Sequence, residues 1–198
     1  VSRRRFAAAG FAALLAGSML LAGCTTDSLA NQYRDGDNKN YIAGDGTVTE
    51  IAASDRGKPI TYTGTLTDGS TVTSGDYTGK VVVMNFWYAG CAPCRAEAPD
   101  LESLNQKYGS QGAQFLGVDV RDEAPTADSF VKTYGITYPS VVDTDGALQL
   151  AFAGTVAPNA VPTTLVIDKQ GRVAARILGE ADPSILDTLV HDTLAESS

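Results

Sequence analysis

The chain has 198 residues, 43% of them hydrophobic, and a formal net charge of −8. That length fits one domain plus some extra chain, and the composition excludes collagen-like and wholly disordered classes. Residues 1–23 hold three arginines and no acid, so the remainder has 12 basic against 23 acidic side chains, a net −11 that excludes a phosphate-backbone binder.

The first 23 residues read as an export signal: a basic start, "VSRRRF", then a short Ala-, Leu- and Gly-rich run too brief for a comfortable membrane span. Leu21-Ala22-Gly23-Cys24 resembles the bacterial lipobox. That resemblance implies cleavage before Cys24, lipidation of its sulfur and attachment to the outer face of the cell membrane. "SRRRF" also resembles the twin-arginine export motif, and the general secretion route stays open beside it. Residues 24–46 are polar, rich in Asn, Asp and Gly, and lack an apolar period, the composition of a flexible tether. A folded domain is expected over 47–198.

Within that domain, "TVTEIAAS" and "PITYTGTLTDGSTVT" are rich in β-branched residues, and Asp68-Gly69 divides the second stretch as a hairpin turn would. "KVVVMNFWY" is a continuous apolar run of strand length, the pattern of a strand buried on both faces. A helix is expected from Cys91 to Gly109, with Pro99 kinking it because proline lacks the N–H. "AQFLGVDV" predicts a second buried strand, and "PTADSFVKTYG" a helix closed by Gly135. A short extended piece (138–143) and a short helix (146–154) follow. "VPTTLVID", "KQG" and "RVAARILG" predict strand, turn, strand. "DPSILDTLVHDTLAE" predicts a closing helix capped by Asp182, with Pro183 at its first position. Strands alternating with helices give an α/β fold with a mixed central sheet.

The chemistry centres on Cys91 and Cys94, the Cys-x-x-Cys of "WYAGCAPCRAEAP". As a staple, their short loop contributes roughly 2 kcal/mol against about 4.7 for a hundred-residue loop, a weak use of a disulfide. As zinc ligands they lack company: only His191 and Cys24 remain, and no second Cys-x-x-Cys exists, so no metal is expected. As a reactive pair they fit best. They lie where a buried strand meets a helix start, whose free N–H groups and dipole favour a thiolate. Cys91, nearest the helix end, is the expected exposed nucleophile, and Cys94, one turn inside, the resolving thiol. Trp87 would offer a flat apolar surface beside the pair, with plain core packing as the other reading.

"VVVMNFWYAGCAPCRAEAP" with "VPTTLVID" downstream resembles the thioredoxin superfamily, and within it the membrane-anchored ResA/TlpA-like thiol–disulfide oxidoreductases. The resemblance covers about residues 60–195. It implies a thioredoxin fold with an N-terminal β-hairpin extension, and a cis Val161-Pro162 bond that faces the disulfide and binds extended substrate. Thioredoxins carry a buried Asp where Asn85 stands here. ResA-like members use a Glu three residues past the second cysteine, and Glu97 stands there, one helical turn from Cys94, as its acid–base partner or as a solvated surface acid. Gly90 stands where many relatives have an aromatic, which predicts a more open rim. The resemblance also implies disulfide-bearing or dithiol envelope proteins as clients, apocytochrome c among them, and a membrane thiol–disulfide carrier as redox partner, with no cofactor. Three alternatives remain: an oxidant of secreted proteins, a thiol peroxidase (though "WYAGC" lacks the usual Thr), and a non-catalytic binding lipoprotein.

Overall fold

The structure, a computed structural model, describes residues 47–155 and 160–196. The export signal, the tether and Cys24 lie outside the described residues. No helix among the described residues is long and apolar enough to cross a membrane.

Among the described residues, eight strands and four α-helices follow in chain order: β1 (Val48–Glu50), β2 (Thr63–Thr65), β3 (Thr71–Thr73), β4 (Val81–Trp87), α1 (Ala92–Tyr108), β5 (Ala113–Asp119), α2 (Ala124–Tyr134), β6 (Ser140–Val142), α3 (Ala147–Ala151), β7 (Thr163–Ile167), β8 (Val173–Leu178) and α4 (Pro183–Ala195). Six strands form one sheet in the order β1-β8-β7-β4-β5-β6. β4, β5 and β6 run parallel, while β7 is antiparallel to β4 and β8 to β7. β2 and β3 form the expected hairpin about Asp68-Gly69, and Leu66 bridges to Val141 at the sheet edge.

The unbroken apolar run of β4 follows from burial on both faces. Val81, Val83 and Trp87 join the core beneath α1, α2 and α4. Val82, Met84 and Phe86 alternate into a second core with the hairpin residues Tyr62 and Val72 and with Leu148 of α3. Asn85 has the odd parity of Val83 and Trp87, so a polar side chain is buried toward α1. Beneath the sheet's far end, Arg56 pairs with Asp168 at 3.0 Å and with Glu196, which ties the segment after β1 to the β7–β8 turn and the end of α4.

α1 continues through Pro99, whose side chain is exposed. It ends at Gly109 as expected; Gly109 stays right-handed, a 3-10 turn over Gly109–Gln111 follows, and Gly112 takes the left-handed conformation at φ 99°. Gly135 and Asp182 do cap α2 and α4 as expected.

Candidate active site

The pair grows from the end of β4. Val120 donates its N–H to the Trp87 carbonyl at 3.0 Å. The chain then turns over Tyr88-Ala89-Gly90-Cys91, closed by the Cys91 N–H on the Tyr88 carbonyl at 3.1 Å. Cys91 is thereby the N-cap of α1, with extended dihedrals (φ −75°, ψ 115°). Pro93 occupies the first turn, where its missing N–H costs nothing. The Cys94 N–H reaches Cys91 Sγ at 3.2 Å. When the disulfide opens, that donor and the helix dipole face the Cys91 sulfur and favour its thiolate.

Cys91 and Cys94 are joined as a disulfide. The expected exposure of Cys91 is corrected in this oxidised state: Cys91 is 4% exposed and Cys94 2%. Position on the helix, rather than accessibility, distinguishes the two sulfurs.

Glu97 is buried at 1% exposure, so the surface-acid reading falls. Its Oε1 accepts from Asn85 Nδ2 at 2.8 Å and its Oε2 from the Ala181 N–H at 2.8 Å. Asn85 Nδ2 also donates to Thr164 Oγ1 at 3.0 Å. Loss of water pushes the Glu97 carboxyl up to about 7, while the Ala181 and Asn85 donors pull it down. The residue therefore changes charge near neutrality, one turn from Cys94. In the ionised form, both oxygens accept a hydrogen bond.

The second loop lies at the same sheet end. Val161-Pro162 is cis, as the resemblance implied. The ladder register pairs Phe86 with Thr163, which sets Pro162 beside Trp87 and hence near the cysteine turn. Val161 packs against the cluster that holds Cys91 and Cys94. The Gly179 N–H holds the Pro162 carbonyl at 2.9 Å, two residues before the Ala181 that caps Glu97. Glu97, Asn85 and Thr164 thus connect the cysteine helix to the proline loop beneath the surface.

One expectation about the rim is corrected. Trp87 is 3% exposed and stacks on Phe130 with ring centroids 4.2 Å apart, so it is core and offers no face to a substrate. Gly90 is exposed, and a Cβ there would stand 3.2 Å from Tyr88 Cε2, so the Tyr88 ring borders this position. Arg121 covers the Tyr88 ring, its guanidinium carbon 4.1 Å from the centroid.

The sequence reading missed the donors that hold Glu97, namely Asn85 and the Ala181 N–H. It also missed Tyr138 and Ser140, which line a small cavity behind Cys94 with Asn85. The strand parity of Asn85 was the one signal that could have marked it as a partner of Glu97. Among the described residues, no three His, Cys, Asp or Glu side chains come together as a metal-binding cluster.

The redoxin family model matches residues 52–190, more than half of the chain. Among curated relatives, the thiol-disulfide oxidoreductase ResA of Bacillus subtilis (strain 168) is 32% identical over 126 residues, 64% of this chain and 66% of that protein. ResA of Geobacillus thermodenitrificans is 38% identical over 104 residues, 52% of this chain and 58% of that protein. The matches thus span less than two thirds of those relatives' length. Among solved structures, a secreted thiol-disulfide isomerase from Corynebacterium glutamicum superposes with a TM-score of 0.72 at 29% identity, covering 79% of this chain and 97% of that one. A DsbF homologue from Corynebacterium diphtheriae gives 0.68 at 35% identity, covering 77% and 96%. The chain belongs to the redoxin family, and its fold is that of the thioredoxin superfamily.

Proposed function

We propose that the protein is an extracytoplasmic thiol–disulfide oxidoreductase, with Cys91 and Cys94 as its redox pair. The observation that carries this reading is the pair itself: a disulfide at the N-terminus of α1, backed by a buried Glu97 that titrates near neutrality. In the reducing direction, the Cys91 thiolate attacks one sulfur of a client disulfide. The client's other sulfur leaves as a thiolate and takes up a proton, and a mixed disulfide with Cys91 forms. Cys94 then loses its proton, attacks Cys91 Sγ, and releases the second client thiolate. Two electrons pass to the client, and Cys91–Cys94 is left oxidised. Glu97 exchanges protons with the Cys94 site as that thiol changes state. Val161 and the backbone before Pro162 receive the client chain in extended form.

The clients in this reading are envelope proteins, apocytochrome c before haem attachment among them, and a membrane dithiol carrier restores the reduced pair. Lipidation at Cys24 anchors the protein to the membrane's outer face. The opposite direction, oxidation of secreted proteins, is the alternative reading. The same pair runs either way, according to its potential relative to the client's.

Reduction of insulin disulfides by the protein, with dithiothreitol as the reductant that restores the pair, tests the reading. A rate above that of dithiothreitol alone, which Cys91→Ser abolishes, is the expected result. Equal rates for the wild type and Cys91→Ser would overturn it.

A further inference from the structure

A second group of side chains bears on Cys91 from outside the dithiol, the glutamate and the proline loop. The Tyr88–Cys91 turn uses the Cys91 N–H and the Tyr88 carbonyl to close itself. The N–H of its second residue, Ala89, has no part in that closure. Nor does the sheet take it, since the β4 ladders end at Phe86 on the β7 side and at Trp87 on the β5 side. The Ala89 N–H is instead taken by Asp122 Oδ2 at 2.6 Å, a short charge-assisted hydrogen bond. The Ala89 carbonyl accepts from Arg95 of α1 at 3.2 Å. Both peptide groups about Ala89 are therefore held by charged side chains.

Asp122 is itself held in place. It lies in the turn after β5, where Asp119 Oδ1 accepts the N–H groups of Arg121 (3.1 Å) and Asp122 (2.9 Å). Asp119 is fully buried, and its side chain holds the turn only through those two backbone N–H groups. Arg121, between them, lies over the Tyr88 ring. One short turn thus grips the cysteine turn at Trp87, at Tyr88 and at Ala89.

We propose that Asp122 is a positioning residue for the Cys91 nucleophile: its carboxylate clamps the Ala89 N–H, fixing the turn that aims Cys91, while Arg121 holds the Tyr88 ring as the rim that meets a protein client. The proposal rests on the oxidoreductase reading. Without the clamp, the Ala89 N–H side of the turn loses its tie to the turn after β5, and the turn keeps its own closure and the Arg95 bond to the Ala89 carbonyl. The Cys91 sulfur then drifts from the Cys94 N–H that favours its thiolate, and from the line of attack on an incoming disulfide. The hydrogen bond does this work, so an amide oxygen at position 122 serves as well as a carboxylate.

The test uses the reduced full-length protein with two probes, insulin and the small disulfide of 2-mercaptoethanol, and reads the exchange of the Ala89 amide proton by NMR. Asp122→Ala should slow reaction with both disulfides about ten-fold and speed Ala89 exchange at least as much. Asp122→Asn, which keeps an acceptor, should stay within about two-fold of wild type on all three measures. Arg121→Ala should slow the reaction with insulin and leave that with the small disulfide unchanged. Asp122→Ser, too short to reach Ala89, serves as the removal variant if Asp122→Ala does not fold. Wild-type rates in the removal variant overturn the clamp, and an Asp122→Asn as slow as Asp122→Ala shows that charge, not position, matters, which overturns it too. Failure of the oxidoreductase reading shows itself differently: the wild type is then inert toward both disulfides.

Discussion

Glu97 joins chemistry and stability in one side chain. Burial raises its pKa from the ordinary 4.5 to about 7. Between those values the folded protein holds the proton more tightly than the unfolded chain. Its contribution to stability is therefore full below about pH 4.5 and is lost as pH rises through 7, roughly 3 kcal/mol across the window. Asp119, raised to about 6 by burial, slopes the same way, so only a comparison with a variant isolates Glu97. In Glu97→Gln, the wild type's advantage in melting temperature should shrink as pH goes from 4.5 to 8. The inflection near neutrality in the rate of client release should disappear as well. Parallel melting curves and identical pH–rate profiles would show that Glu97 neither titrates nor takes part. Spacing alone placed Glu97 one turn from Cys94. Its burial was not legible, because the α1 sequence gives no strong apolar stripe and the donors come from Asn85 and Ala181, distant in the chain.

At the scale of elements, the parts that face the cysteines were those most readable in the sequence. β4 is apolar apart from Asn85, and α4 opens with Asp182-Pro183, a cap and a first-turn proline that leave little choice of start. Asp182 accepts from the Ser184 and Ile185 N–H groups at 2.8 and 3.2 Å. Asp182→Ala should cost about 1 kcal/mol, a fall in melting temperature of about 2–4 °C. An unchanged melting temperature would show that the N-terminus of α4 needs no side-chain cap. The end of α1 at Gly109 was legible from its glycine, while the 3-10 turn that follows and the left-handed Gly112 beyond it were not, because they depend on how the chain turns into β5.

For the molecule as a whole, the mixed sheet was legible in the alternation of strands and helices, while the cis Val161-Pro162 bond was implied only by the family resemblance. The Asp122 clamp and the Arg56–Asp168–Glu196 ties were not legible, since each joins segments far apart in the chain. The proposed attachment to a membrane rests on Cys24, and on that proposal Cys24→Ala should release the protein from the membrane fraction or leave an uncleaved precursor. Unchanged attachment with normal processing would count against lipidation. The central claim concerns Cys91 and Cys94, and covalent trapping tests it most directly. In cells, Cys94→Ala keeps the attacking thiol and removes the resolver, so mixed disulfides with client proteins should accumulate after acid quench and alkylation. Cys91→Ala removes the attacker and should trap few. Equal trapping by both variants, or more by Cys91→Ala, would contradict the assigned roles, and no trapped protein in either would contradict the redox account itself.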